Sequence, residues 1–286
     1  HRGWVLAFTR LHKIPVFRRV WVYLFVMGIY AFLVDWLAEA HLPQGLLKEA
    51  GAAAYGSVVL GLLLVFRTNT AYERWAEGRK LWGQLVNDSR NLAFKVRNFV
   101  AVTEQEKVQF GQLVISFSYA LKHHLRNTIP TEPLPGLGRA NMEGKNMPVH
   151  VTGKIYELIQ QWRKAGLVDT LMLIELDFQL RGFMDVCGAC ERIKNSPIAV
   201  SYRAFMRQGI VLTLIVVPWL LCEYPIIWCL PMILVGTYFL IGLELIAEDI
   251  EEPFGKDGDD LPLDTICATI RTSITEILGL TKSMKY

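Results

Sequence analysis

The sequence predicts an all-α membrane protein with four transmembrane helices and a large polar helical region between the second and third. Three observations carry this prediction. The 286 residues are 52% hydrophobic and 20% charged, against about 45–50% and about 25% in a typical soluble domain, and mean hydropathy is +0.28. The apolar residues gather into four runs with no polar face. The remaining sequence has helical periodicity and no strand alternation of useful length. Net charge is +3, from 30 Lys+Arg and 27 Asp+Glu, which excludes a strongly basic nucleic-acid binder. Five cysteines in no framework spacing exclude a secreted disulfide scaffold.

The first run, Val20–Glu39, and the fourth, Ile226–Ala247, meet the roughly 20 apolar residues that a spanning helix needs. The second, Ala52–Phe66, and the third, Gly209–Cys222, are shorter. They suit buried helices, or spans lined by protein. Between runs two and three, Thr70–Val100, Glu104–Asn127, Lys154–Lys164 and Val168–Lys194 are predicted as helices, with Leu81, Leu85, Leu92 and Val96 recurring on one face. Thr103 before Glu104 and Glu106 forms an N-cap signal. Residues 128–150 break every period and read as a loop.

Loop charge predicts orientation. Arg2, Arg10, Lys13, Arg18 and Arg19 precede the first run without an acid, and Lys48 is the sole Lys or Arg in His41–Glu49. Residues 67–208 carry 20 Lys+Arg against 13 acids. The positive-inside rule then places both termini and the middle region in the cytoplasm, with multi-pass insertion. Trp21, Tyr23, Trp36, Trp219, Tyr224 and Trp228 fall near span ends, as an aromatic belt would. The resulting division is 1–66 (N-terminal segment and two membrane helices), 67–208 (cytoplasmic helices), 209–247 (two membrane helices) and 248–286 (acidic turn and C-terminal cytoplasmic helix).

No constellation looks catalytic. Gly51, Gly56 and Ser57 have phosphate-loop spacing without its lysine. His123 and His124 point to different helix faces and read as surface residues. Cys187 and Cys190 read as buried small residues more readily than as half a zinc site. The uncharged second run is more informative. Ala52/Gly56 and Ser57/Gly61 are small-xxx-small pairs that let helices approach closely. Val58, Leu62 and Phe66 form an apolar stripe about 12 Å long. This stripe reads as core or as a hydrophobic constriction that gates by dewetting. Nine acids lie between Glu244 and Asp264. They read as a solvated turn, as partners for the basic region, or as an oxygen-rich cation site.

The stretch Phe66–Gly83, FRTNTAYERWAEGRKLWG, resembles the bestrophin family, in its bacterial branch and the related plant thylakoid channels. Cys190–Arg203, CERIKNSPIAVSYR, and Glu252–Asp264, EPFGKDGDDLPLD, resemble the segment leading into that family's third span and its acidic P-F-G turn. Order, spacing and hydropathy agree along nearly the whole chain. The resemblance implies a homopentameric ion channel in a bacterial inner membrane, with the second helix lining an axial pore. By position it implies a neck at Val58, Leu62 and Phe66. It implies a cytoplasmic aperture at Leu171, with Ile174 as the alternative register and Glu175 one turn beyond. Animal members bind Ca²⁺ at the acidic turn. The matching positions are Asp249, Glu252, Asp257 and Asp260, although Lys256 and Gly258 interrupt the acidic run here. No cofactor is required by this reading, and Ca²⁺ is the one candidate.

The expected function is passage of monovalent ions, chloride and other small anions in first place, with membrane lipid and other copies of the chain as partners. Basic excess in 67–208 favours anions, while Glu49 and Glu175 favour cations. A cation-selective (Na⁺/K⁺) channel of the same fold is therefore an alternative. A membrane-anchored scaffold or binding module is another, and a membrane enzyme is the weakest.

Overall fold

A computed structural model describes residues 15–41, 50–130, 133–137, 146–222 and 224–280. Arg2, Arg10, Lys13, Lys48, Glu49, Glu223 and much of the 128–150 loop lie outside these residues, as do the side chains of Arg18, Ala52 and Ser57. Among the described residues there are eight helices and no strand. They are α1 (Pro15–His41), α2 (Ala50–Phe99), α3 (Glu104–Leu125), α4 (Met147–Lys164), α5 (Thr170–Asn195), α6 (Val200–Leu221), α7 (Ile226–Glu251) and α8 (Leu263–Leu278). The chain forms two compact units, residues 1–75 with 197–260, and residues 76–196 with 261–286.

The second apolar run and the first predicted polar helix are one element, the 50-residue α2. Hydropathy changes sharply at Arg67. Nevertheless, no glycine or proline lies between Gly61 and Gly78, so nothing breaks the backbone ladder there. Three stretches are long and apolar enough to cross a membrane among the described residues: Arg19–Glu39, Val200–Leu221 and Ile226–Glu251. The third predicted run is thus the apolar part of a longer helix that begins at Val200.

In the first unit α1, the start of α2, α6 and α7 pack through small apolar clusters. Met27 and Ala31 meet Cys229 and Ile233. Leu60 and Leu64 meet Met206 and Ile210. Val16 and Val20 meet Leu245. Pro218 lies inside α6 and removes a backbone donor there. Nearby, the Tyr30 hydroxyl donates to the Ile215 carbonyl at 3.0 Å and accepts from Trp219 Nε1 at 2.9 Å. Side-chain bonds of this kind support a proline-containing helix in an apolar setting.

The second unit packs the remainder of α2 with α3, α4, α5 and α8 around large aromatics. Phe117 and Phe183 have ring centroids 4.7 Å apart, and Phe110 and Trp162 are 5.6 Å apart. Its helix ends are set by sequence-local caps. Thr103 and Glu106 form a complete capping box on α3. The bonds from Thr103 hold the Glu106 carboxyl below its ordinary range. Asn146 caps α4 and Asp169 caps α5. The Asn146 cap starts α4 seven residues before the predicted Lys154. Gly279 ends α8 at φ +72°, a left-handed backbone that glycine adopts without strain.

Candidate functional site

The stripe on α2 is turned away from the packed side of its helix. Leu60, Leu64, Arg67 and Ala71 follow one buried line, as their spacing of four and three residues dictates. Val58, Leu62 and Phe66 occupy the other side and are 71%, 56% and 55% exposed. These three large apolar side chains offer no ion ligand, and the line continues at Thr70, whose hydroxyl donates to the Phe66 carbonyl at 2.9 Å. Gly56 and Gly61 have no atom within 4 Å of where a Cβ would stand, so nothing described in this chain uses their small size.

The residues expected at the cytoplasmic aperture lie in the second unit, on the first turns of α5. Leu171 and Ile174 are 74% and 60% exposed. Glu175 is paired: Lys95 Nζ lies 2.6 Å from its carboxylate, and also donates to its carbonyl at 2.9 Å and to Gln179 Oε1 at 2.6 Å. The sequence offered Glu175 as a bare acid, and its partner stands 80 positions earlier, on α2.

The acids near Glu244–Asp264 divide into two groups. Glu244, Asp249 and Glu251 are buried rather than solvated. Arg19 reaches Asp249 at 2.7 Å and Glu248 at 2.9 Å. Arg207 reaches Glu244 at 3.1 Å and Glu248 at 2.7 Å. Arg67, fully buried, reaches Glu251 at 2.7 Å and lies 3.6 Å from Glu244. A buried charge survives only when paired, and here four helices contribute to the pairing. Of the three readings the sequence left open, pairing with the basic region is the one seen at Glu244, Glu248 and Glu251, through Arg67 and Arg207, although the sequence did not single out Arg67. The available signal was Glu244, Glu248 and Glu251 at i, i+4, i+7, a single helix face.

The positions implied for Ca²⁺ do not converge. Asp249 is committed to Arg19. Asp260 Oδ2 accepts the Asp257 backbone N–H at 2.6 Å, and Glu252 follows the end of α7. Among the described residues no three His, Cys, Asp or Glu side chains come close enough to hold a metal ion. These residues, as arranged, do not fit a calcium cage.

Cys187 and Cys190 are both buried in the second unit. Burial pushes the Cys187 thiol up to about 12 and the Cys190 thiol higher still, so both remain protonated core residues. The paired histidines depart from the surface expectation. His124 Nε2 lies 2.6 Å from Glu191 Oε1, and His123 Nδ1 lies 2.8 Å from Thr128 Oγ1, both part-buried.

Residues 1–276 match the family described as Bacterial/Fungal Bestrophin protein. The chain belongs to that bestrophin family. A voltage-dependent anion channel-forming protein of Nostoc sp., alr2987, is 35% identical over 269 residues, covering 90% of this chain and 86% of the relative. YneE of Escherichia coli K12, which carries the same description, is 30% identical over 229 residues, covering 77% and 74%. The crystal structure of a bacterial bestrophin homologue from Klebsiella pneumoniae superposes with a TM-score of 0.79 at 25% identity, covering 91% of this chain and 97% of that one. The bestrophin stretch Phe66–Gly83 lies wholly on α2 and contains both Phe66 and Arg67.

Proposed function

We propose that this bestrophin is the subunit of an anion channel in a bacterial inner membrane, passing chloride and other small monovalent anions. The observation that carries the reading is the outward-facing stripe Val58, Leu62 and Phe66 in a chain whose relatives are described as anion channel-forming. Family membership supports a channel rather than an enzyme. One chain offers one such helix, so a central conduit needs several copies, and the family resemblance sets the number at five. Four spans, with the termini and the 67–208 region in the cytoplasm, follow from the loop charges. The apolar start of α2 serves as the protein-lined span.

The mechanism follows from the chemistry of the stripe. Rings of Val58, Leu62 and Phe66 present no oxygen to replace hydration. An ion therefore passes them hydrated or not at all, and the neck works as a gate and a weak size filter. Leu171 and Ile174, with Glu175 beyond, form the cytoplasmic aperture. Charge selection falls to the vestibules. The pairing of Glu175 with Lys95 offsets the acid that argued for cations, which supports the anion reading.

The test is the reversal potential of purified protein in planar bilayers under an asymmetric KCl gradient. Reversal near the chloride potential is expected. Reversal near the potassium potential overturns the anion reading in favour of a cation channel. Silence from a correctly sized oligomer, persisting in Leu62→Ala, favours the membrane-anchored scaffold.

A further inference from the structure

We propose that Arg67 is a positioning residue for the neck: its buried pairing with Glu251 sets the rotation of α2, and so the direction in which Phe66 points. This rests on the neck reading given above.

Adjacent helix residues lie about 100° apart around the axis. Phe66 faces the open side, and Arg67 turns into the unit and is fully buried. Above Arg67, α2 is held by Leu60 and Leu64 against Met206 and Ile210. Apolar contacts of this kind are non-directional and tolerate a small turn of the helix. The guanidinium is directional. Arg67 Nη2 donates to Glu251 Oε2 at 2.7 Å. The other Glu251 oxygen accepts the Ile198 backbone N–H at 3.0 Å, just before α6 begins. The Glu251 carbonyl accepts from Arg74 Nε at 3.1 Å. Arg67 and Arg74 are seven residues apart, hence on one face of α2. The last residue of α7 thus grips α2 at two points two turns apart and ties both to the start of α6. Buried polar pairs add little net stability over an apolar replacement, but they can specify one register. Here the register is that of the helix carrying the neck, one residue from its inner ring.

The experiment is a double-mutant cycle read by single-channel recording. Arg67→Lys keeps the charge and loses the fork. Glu251→Gln keeps the shape and the acceptor for Ile198. Each should change open probability by about tenfold while leaving the single-channel current amplitude unaltered. In a Phe66→Ala background the same changes should move open probability by less than about twofold, because the ring they aim is gone. A purely structural role would lower yield equally in both backgrounds and leave no such coupling. An undiminished effect in the Phe66→Ala background overturns the proposal, as does no effect in the wild-type background from oligomers of normal size. If Phe66→Ala alone changes neither conductance nor gating, the neck reading itself fails, and the proposal with it. Where recordings are silent, the labelling rate of Phe66→Cys by a thiol reagent in liposomes, resolved by mass at that position, should shift several-fold on adding Arg67→Lys. An unchanged rate overturns the proposal.

Discussion

The two units of this chain are built inside-out relative to each other. In the first, large apolar side chains such as Phe25, Trp228 and Phe239 face outward, while Arg67, Glu244 and Glu251 are buried. In the second, Trp82, Phe117, Trp162 and Phe183 are buried, and pairs such as Lys154–Glu157 and Arg181–Asp177 lie on the surface. The rule that charges stay outside holds when the surroundings are water. Where the surroundings are apolar, an arginine finds its best partner inside the protein. The same pair of residue types therefore has opposite weight in the two halves.

The comparison breaks most visibly at Arg67. Arg67→Ala leaves Glu244 and Glu251 buried without their shared cation, and should destabilise the protein by ~3–5 kcal/mol. Lys154→Ala on the second unit should change stability by less than ~0.5 kcal/mol. Thermal unfolding of both variants in the same detergent checks this, and similar losses would erase the contrast.

Phenylalanine gives the complementary test. Phe183→Ala empties a buried ring site against Phe117 and should cost ~3–5 kcal/mol. Phe66→Ala removes an exposed ring, should alter stability by less than ~1 kcal/mol, and should raise conductance. Equal destabilisation without a conductance change would make Phe66 a core residue.

A smaller effect sharpens the selectivity argument. Lys95→Gln leaves Glu175 without its 2.6 Å partner and should move the reversal potential toward the potassium value. Adding Glu175→Gln should move it back. A reversal potential indifferent to both variants would remove these charges from the ion path.

How much of this was legible follows from what each feature depends on. The Thr103 N-cap of α3 was readable from local chemistry, whereas the Asn146 cap of α4 was hidden inside a stretch that breaks every period. The stripe Val58, Leu62 and Phe66 was readable because helical spacing alone puts it on one line. The continuity of α2 past Phe66 was obscured, because hydropathy changes there and the backbone does not. The buried pairing of Arg67 was invisible, since Glu251 stands 184 positions away and nothing local tells an inward arginine from an outward one. Lys95 was hidden from Glu175 for the same reason.

The least perturbing prediction concerns Asp264, in the first turn of α8. Lys122 Nζ donates to its Oδ1 at 2.8 Å and Arg126 Nη1 to its Oδ2 at 2.7 Å. Those bonds hold the carboxyl down at about 2, from an ordinary 3.8. A depressed acid stabilises the folded state while it is ionised. Its contribution is complete above about pH 4, fades as the pH falls below that, and is gone once the pH passes the folded value near 2. The side chain is 67% exposed, so water and salt screen the pairing, and Asp264→Asn should lose less than ~1 kcal/mol. In melting curves, wild type should exceed the variant at pH 5 and the gap should close toward pH 2.5. High salt should shrink the gap at pH 5 as well. A gap that persists unchanged at low pH would mean that the asparagine harms α8 through its start and not through the lost charge. The surface pairs of the second unit would then have to be weighed by geometry rather than electrostatics.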